Sequence, residues 1–415
     1  MVTGSGGGTE REIERGPSPR WESVAPRMGR VTGLDVLRGF GVMGVVVGHA
    51  KPEWLITFSP LPDWFFVLSG FLIVTLLLEE HRARGRIELK QFYARRSLRL
   101  LPNLYAVLLF ALVLVPFLDD ERRRQAIREI WSAALYVYNW VFPFTTTDEG
   151  VRPTGGLLYH IWTLSIEEQF YIVIGFTLMV ALRKGWVRQY GVALFVVVIG
   201  SQLMRLGGHW GWRNVLFQRP DSLALGVCLA IFNGELTDER MSRWKRWLPV
   251  VGLAGLVLSV VTFFCGTIFA QKLGIWVPVQ PGFMDGPGQH FAGTGDHFYW
   301  VQWGFSACQW GMAAMAFTLV RCPGAFLTTL LSWRRMAWVG GSLSYSIYIW
   351  HLPVQLALRE TALSGVSNVI LLPGLVVFPS LVGWAMFHLV EKRALRLKDR
   401  FAVIASPKVR TVGSS

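Results

Sequence analysis

The chain predicts an all-α polytopic membrane protein with about ten transmembrane helices and both termini in the cytoplasm. Three observations make that prediction. Hydrophobic residues are 52% of the 415, mean hydropathy is +0.39, and only 16% of residues are charged, where an ordinary soluble domain carries about 25%. Apolar runs of 17 to 23 residues recur along nearly the whole length, each long enough to cross roughly 30 Å of hydrocarbon. The net charge of +14 is gathered in short clusters between those runs. That distribution suits loops facing anionic lipid and excludes nucleic acid as the expected partner.

Taken in order, residues 1–31 are rich in Gly, Ser, Glu and Arg without an apolar core, and form a disordered cytoplasmic tail that is not a signal peptide. Ten spans follow within 32–390: 32–50, 62–78, 100–118, 158–182, 189–206, 215–232, 248–269, 298–320, 337–357 and 368–390. Ile130–Pro143 is apolar but too short for a full crossing, and charge decides its status. With ten spans, cytoplasmic segments hold 29 Lys and Arg, external segments hold 10 when Arg205 at the outer end of the fifth span is counted with them, and Arg38 and Arg219 lie within the membrane. Counting Ile130–Pro143 as a span gives 17 inside against 22 outside. The positive-inside rule therefore makes it an interfacial or re-entrant element. Asp119–Gly156 and Ala270–His297 then face outward, where loops on a rigid bundle can recognise an acceptor. Residues 391–415 read as a basic cytoplasmic tail on the membrane surface. Cys228, Cys265, Cys308 and Cys322 show no paired spacing, so they are packing residues, and neither a metal site nor a disulfide framework is expected.

His49 and Arg38 share the first span, eleven residues apart. Eleven steps of about 100° bring both to one helical face, roughly 16 Å apart. Intramembrane ionisable groups are costly and mark a pathway or reaction centre, and an imidazole can take a proton from a hydroxyl near neutral pH. The bland alternative is an interfacial histidine. Arg96 and Arg99, in FYARRSLRLLP, sit three apart and can grip one anion; basic residues flanking a span also serve as topology signals. WTLSIEEQFY opens the fourth span with two adjacent carboxylates. Glu167, on the face of Tyr171, either orients a histidine or acceptor hydroxyl or merely satisfies the helix dipole.

Arg219 and Asp221 enter the sixth span together, and a structural role neutralising partners on other helices is favoured, with Gly226 allowing close helix approach. SLSYSIYIWHLP puts Tyr345, Tyr348 and His351 on the ninth span: the tyrosines suit an aromatic belt and His351 is a secondary catalytic candidate. Trp140, Trp210, Trp212, Trp276, Trp300 and Trp303 would suit stacking on sugar rings or, more commonly, an interfacial belt.

From about Gly33 to Arg396 these segments resemble the acyltransferase-3 family of integral-membrane O-acyltransferases. The resemblance rests on Arg38 and His49, FFVLSGFL with Ser69, FYARRSLRLLP, WTLSIEEQFY, RPDSLALG, and SYSIYIWHLPV followed by the Glu391–Lys392 pair, all in order. It departs at Thr163, where the family pattern has Ser; the hydroxyl survives. The resemblance implies a ten-helix domain that takes an acyl group, often acetyl, from coenzyme A on the cytoplasmic side and passes it to a hydroxyl of a glycan, glycolipid or natural product. It assigns His49 to catalysis and the arginines to the donor, with no bound cofactor. Many relatives carry a further soluble hydrolase-like domain after the last span. Its absence here is read as direct transfer by the membrane domain.

The expected scheme holds acyl-CoA phosphates on Arg96, Arg99 and Arg38 and presents the thioester to His49. Glu167 sets the tautomer of His49 or holds the acceptor, and Arg219, Asp221, Ser69, Tyr171, Tyr348 and His351 support the site. It requires one charged and aromatic cavity containing both His49 and Arg38, in a protein of the plasma membrane. The rival is a proton-coupled transporter or flippase without acyl chemistry, against which the sequence offers no repeated half and no matching pair of broken helices.

Overall fold

The computed structural model describes residues 29–51, 55–142, 156–207, 220–236, 238–265, 300–361 and 368–398. The long helices among them are α1 (Thr32–Ala50), α2 (Leu61–Arg84), α3 (Leu89–Leu114), α4 (Asp120–Ala134), α5 (Trp162–Arg183), α6 (Val187–Leu206), α7 (Asp221–Glu235), α8 (Leu248–Cys265), α9 (Trp300–Arg321), α10 (Ser344–Thr361) and α11 (Asn368–Met386). A helix occupies every one of the ten apolar stretches read from the sequence. Seven segments among the described residues are long and apolar enough to cross a membrane: those of α1, α2, α3, α5, α6 and α8, and Leu371–Leu397. Among the described residues the regular structure is all helical, and the chain is a polytopic membrane protein. At 15 residues, α7 is shorter than a full crossing.

Ile130–Pro143 does not form one helix. Its first residues end α4, Tyr136 then takes a left-handed backbone (φ 55°), and a single turn follows at Tyr138–Val141. The α4 helix is amphipathic and polar, with Asp119 capping it by accepting from the Arg122 N–H at 2.9 Å. Beyond Glu391 the chain continues as the short helix Lys392–Lys398, so the start of the basic tail is ordered.

Burial sorts the helices into a core and a rim. Most of α1 and α2 is buried, whereas most of α6, α8 and α11 is not. Their outward faces carry Val192, Val196, Val250, Val257, Phe378 and Leu381, side chains that hydrocarbon solvates as well as protein does. Without a hydrophobic drive between helices, close packing decides contacts. At the α2–α7 crossing a Cβ on Gly70 would lie 2.3 Å from the Leu223 carbonyl oxygen, and one on Gly226 would lie 2.2 Å from that of Val67. Backbone therefore meets backbone there, as expected of Gly226. A π-helical turn, Val339–Leu343, leads into α10. Its Gly340 sits so close to α1 that a Cβ would strike the Asp35 carbonyl at 1.8 Å.

Two large apolar cores result, with smaller clusters beside them. One joins α1, α2, α5, α7 and α9 through residues such as Leu37, Phe71, Ile174, Leu223 and Met315. The other joins α3, α10 and the start of α5 through Leu104, Ile161 and Ile349. The candidate site lies between them.

Candidate active site

A cavity of about 510 Å³ runs inside the bundle, within the range of sites for small molecules and cofactors. Its wall takes Arg38 and His49 from α1, Ser69 from α2, Arg96 and Arg99 from α3, Glu167 and Tyr171 from α5, and Tyr348 from α10. His49 and Arg38 thus face one continuous space. Arg30 lines the end nearer Arg38, while Tyr159 and His160 line the end nearer His49.

At the arginine end the guanidinium groups are not equivalent. Arg96 donates to Glu168 at 3.1 Å and stacks on the Tyr171 ring, 3.6 Å from its centroid. Its orientation is fixed by protein partners. Arg38 and Arg99 form no hydrogen bond or ion pair among the described residues, although they are near enough for their like charges to interact. Two guanidinium forks in the wall of a cavity, without a carboxylate on either, are a site for an anion. Arg30, largely exposed, pairs with Asp35 at 2.7 Å.

The two adjacent carboxylates of WTLSIEEQFY divide their work. Glu168 takes Arg96, and Glu167 accepts from Ser69 Oγ at 2.7 Å. The hydrogen bonds of His49 run elsewhere: its Nδ1 lies 3.0 Å from the Val45 carbonyl and 3.3 Å from Nε2 of His351. His351 is fully buried and its Nδ1 lies 2.5 Å from the Tyr348 carbonyl. The Tyr348 hydroxyl donates to the His160 carbonyl and meets Thr163 Oγ1, each at 2.5 Å. A third imidazole, His160, packs edge-on against His351 with ring centroids 4.9 Å apart. Among the described residues no group of three or more His, Cys, Asp or Glu has a metal-binding arrangement.

Sequence reasoning passed over His160, although it stands two residues before the WTLSIEEQFY segment, and Glu168. A histidine at the mouth of a span was the available signal. Asp221 lies away from the cavity wall: it accepts from Arg205 of α6 at 2.5 Å and from Gln309 of α9 at 3.0 Å, and Gln309 also donates to Asp63. It is a buried polar junction of α2, α6, α7 and α9, as a structural role requires. Arg219 lies outside the described residues, as do Trp210, Trp212 and Trp276. Trp300 is buried against α8, its indole donating to the Thr262 carbonyl at 3.0 Å, so it is not open to a sugar. Trp140 is exposed and donates to Gln169 at 3.2 Å.

The His49 end of this site is braced by Glu129 of α4. Its buried carboxylate accepts from the Leu158 N–H at 3.0 Å, the Tyr138 hydroxyl at 3.1 Å and Gln125 at 3.2 Å. A Cβ on Gly156 would collide with it at 1.5 Å. Burial pushes this carboxyl up from 4.5 to about 7, the donors only partly offsetting desolvation. The segment it holds carries Tyr159 and His160 into the cavity wall.

Fold and cavity together define a polytopic membrane protein with a charged, aromatic chamber inside its helical bundle. Its family is narrower than that. The acyltransferase-3 model, described as an acyltransferase domain, matches residues 31–388, and the chain belongs to this family. Among curated relatives, O-acetyltransferase OatA of Staphylococcus aureus is 26% identical over 356 residues, 83% of this chain and 52% of the relative. YrhL of Bacillus subtilis, provisionally named a peptidoglycan O-acetyltransferase, is 28% identical over 381 residues, 87% of this chain and 54% of the relative. A Staphylococcus aureus protein provisionally named an O-acetyltransferase is 30% identical over 253 residues, 57% of this chain and 41% of the relative. The chain spans about half the length of the first two. No solved structure matches it.

Proposed function

We propose that the chain is a membrane O-acyltransferase that moves an acyl group, acetyl in the first instance, from acyl-CoA to a hydroxyl of a glycan or glycosylated lipid or metabolite. The observation that carries this reading is that one cavity joins an imidazole to two guanidinium groups that have no hydrogen bond or ion pair among the described residues. Arg38 and Arg99, with Arg96 beside them, hold the donor's phosphates, and the pantetheine arm runs along the cavity to place the thioester at His49. His49 takes the acceptor's hydroxyl proton. The oxygen forms the ester bond with the acyl carbon as the carbon–sulfur bond breaks, and the departing thiolate recovers the proton. Ser69 and Glu167, hydrogen-bonded to each other, hold the acceptor.

In this reading the arginine end faces the cytoplasm, the His49 end faces outward, the bundle crosses the plasma membrane ten times, and both termini stay inside. The excess of Lys and Arg in the segments at the arginine end supports that orientation. The names of the OatA and YrhL relatives support acetyl transfer and, for YrhL, a cell-wall glycan acceptor.

The test is release of free thiol from acetyl-CoA by the purified protein with a glycan acceptor present. Wild type releases thiol in step with ester formation, and His49→Ala reduces both by at least about a hundredfold, the general-base contribution. Absence of thiol release from wild type, with substrate movement across sealed vesicles, would replace the enzyme with a carrier.

A further inference from the structure

Two backbone carbonyls fix where the protons of the imidazole cluster sit. The Tyr348 oxygen lies 2.5 Å from Nδ1 of His351, and the Val45 oxygen lies 3.0 Å from Nδ1 of His49. A carbonyl oxygen only accepts, so each Nδ1 carries its proton. His351 Nε2 is then a bare lone pair, 3.3 Å from His49 Nδ1, and the contact between the rings has one direction: the single Nδ1 proton of His49 is shared between the Val45 carbonyl and His351, and both accept. The reverse would leave a bare Nδ1 of His351 facing a carbonyl at 2.5 Å, two lone pairs in a buried contact.

The His351 ring has no freedom to swing away. It is fully buried and held edge-to-face between two others, with centroid separations of 4.9 Å to both His49 and His160 and inclinations of 64° and 69°. His160 is itself pinned, its Nε2 lying 3.1 Å from the Ile349 carbonyl. A packed acceptor of this kind holds the ring it receives from in one orientation.

We propose that His351 is the positioning residue for His49, accepting its Nδ1 proton and leaving Nε2 of His49 as the bare nitrogen presented to the cavity. Glu167, bonded to Ser69, is then released from that task. Once Nε2 takes a proton, the His49–His351 bond joins a cation to a neutral acceptor and strengthens. His351 therefore acts on the charged state formed during reaction and not on binding of the donor, whose phosphate site lies roughly 16 Å down α1 by helix geometry. Only this kinetic consequence rests on the acyl-transfer reading. The proton positions do not.

The first experiment is ¹⁵N NMR of histidine-labelled full-length protein in detergent above neutral pH, with rings assigned from His49→Gln, His160→Gln and His351→Gln variants. Wild type should show His49 and His351 both protonated at Nδ1 and bare at Nε2. A His49 ring protonated at Nε2 overturns the proposal, whatever the enzyme assays give. The second compares kcat and KM for acetyl-CoA. His351→Gln keeps a carbonyl oxygen where Nε2 stood and should stay within about threefold of wild type. His351→Leu should lose about 10- to 100-fold in kcat, the equivalent of one charge-assisted hydrogen bond, with KM unchanged. Equal kcat in the Gln and Leu variants, or a loss confined to KM, refutes the role. Should the Leu variant fail to fold, a wild-type His351 ring protonated at Nε2, and so unable to accept, still overturns the proposal.

Discussion

Replacing Arg99 by Gln separates a binding arginine from a structural one. Arg99 lines the cavity and has no hydrogen bond or ion pair among the described residues, and it repels Arg38. Its removal breaks no hydrogen bond or ion pair among the described residues; it relieves the repulsion with Arg38 and gives up an attraction to the buried Glu391, so the melting temperature should change little. If it grips a donor phosphate, the variant loses a hydrogen bond to a charged group, about 1.5–3 kcal/mol. That converts to a rise of about 10- to 150-fold in KM for acetyl-CoA. Because the phosphate contact is the same in the ground and transition states, kcat should be nearly unchanged. Arg96→Gln is the contrast. It strands the Glu168 carboxylate and uncovers the Tyr171 ring, so it should lower the melting temperature as well as donor affinity. The assay is initial-rate thiol release across a range of acetyl-CoA concentrations, with thermal unfolding in the same detergent. An Arg99→Gln variant with KM within twofold of wild type, or one that unfolds as readily as Arg96→Gln, would refute the reasoning.

Two further outcomes follow from packing and protonation. The folded state holds the Glu129 proton more tightly than the unfolded state, since burial lifts that carboxyl from 4.5 to about 7. The stability it contributes is complete below about pH 4.5 and is lost as pH rises through about 7, a change on the order of 3 kcal/mol. Glu129→Gln should flatten that part of the pH–stability profile in thermal unfolding between pH 4.5 and 8, and an unchanged slope would contradict it. Gly226→Ala should lower the melting temperature by the cost of overpacking, about 1–3 kcal/mol, because the new Cβ meets the Val67 oxygen at 2.2 Å and the Phe71 nitrogen at 2.7 Å. Gly374→Ala, with nothing within 4 Å, should leave it unchanged.

Much of this was legible in the sequence because its signals are local. Hydropathy locates helices well, since the bilayer forces each crossing to satisfy its own backbone. It misjudges their ends: the second and third spans stop at 78 and begin at 100, whereas α2 runs to Arg84 and α3 starts at Leu89. Helical geometry persists past the hydrocarbon edge, and that persistence puts Arg96 and Arg99 on a rigid helix facing the cavity. Arg38 and His49 were readable from a spacing of eleven on one helix. The partners that define their chemistry were not, because they come from distant elements. His351 reaches His49 across 302 residues, and Glu167 finds Ser69 across 98. Asp221 could be recognised as needing a partner on another helix, but only the helix bundle shows that the partner is Arg205. His160 went unseen because a lone histidine at a span boundary looks ordinary until α10 brings His351 beside it.

The most direct test of the central claim is a structure of the full chain bound to a thioether analogue of acetyl-CoA. The phosphates should contact Arg38 and Arg99, and the carbon standing for the acyl carbonyl should lie near Nε2 of His49 with room for an attacking oxygen, at about 3–3.5 Å, between them. An analogue seated with its acyl end away from His49, or one bound outside the cavity while the enzyme is active, would contradict the account.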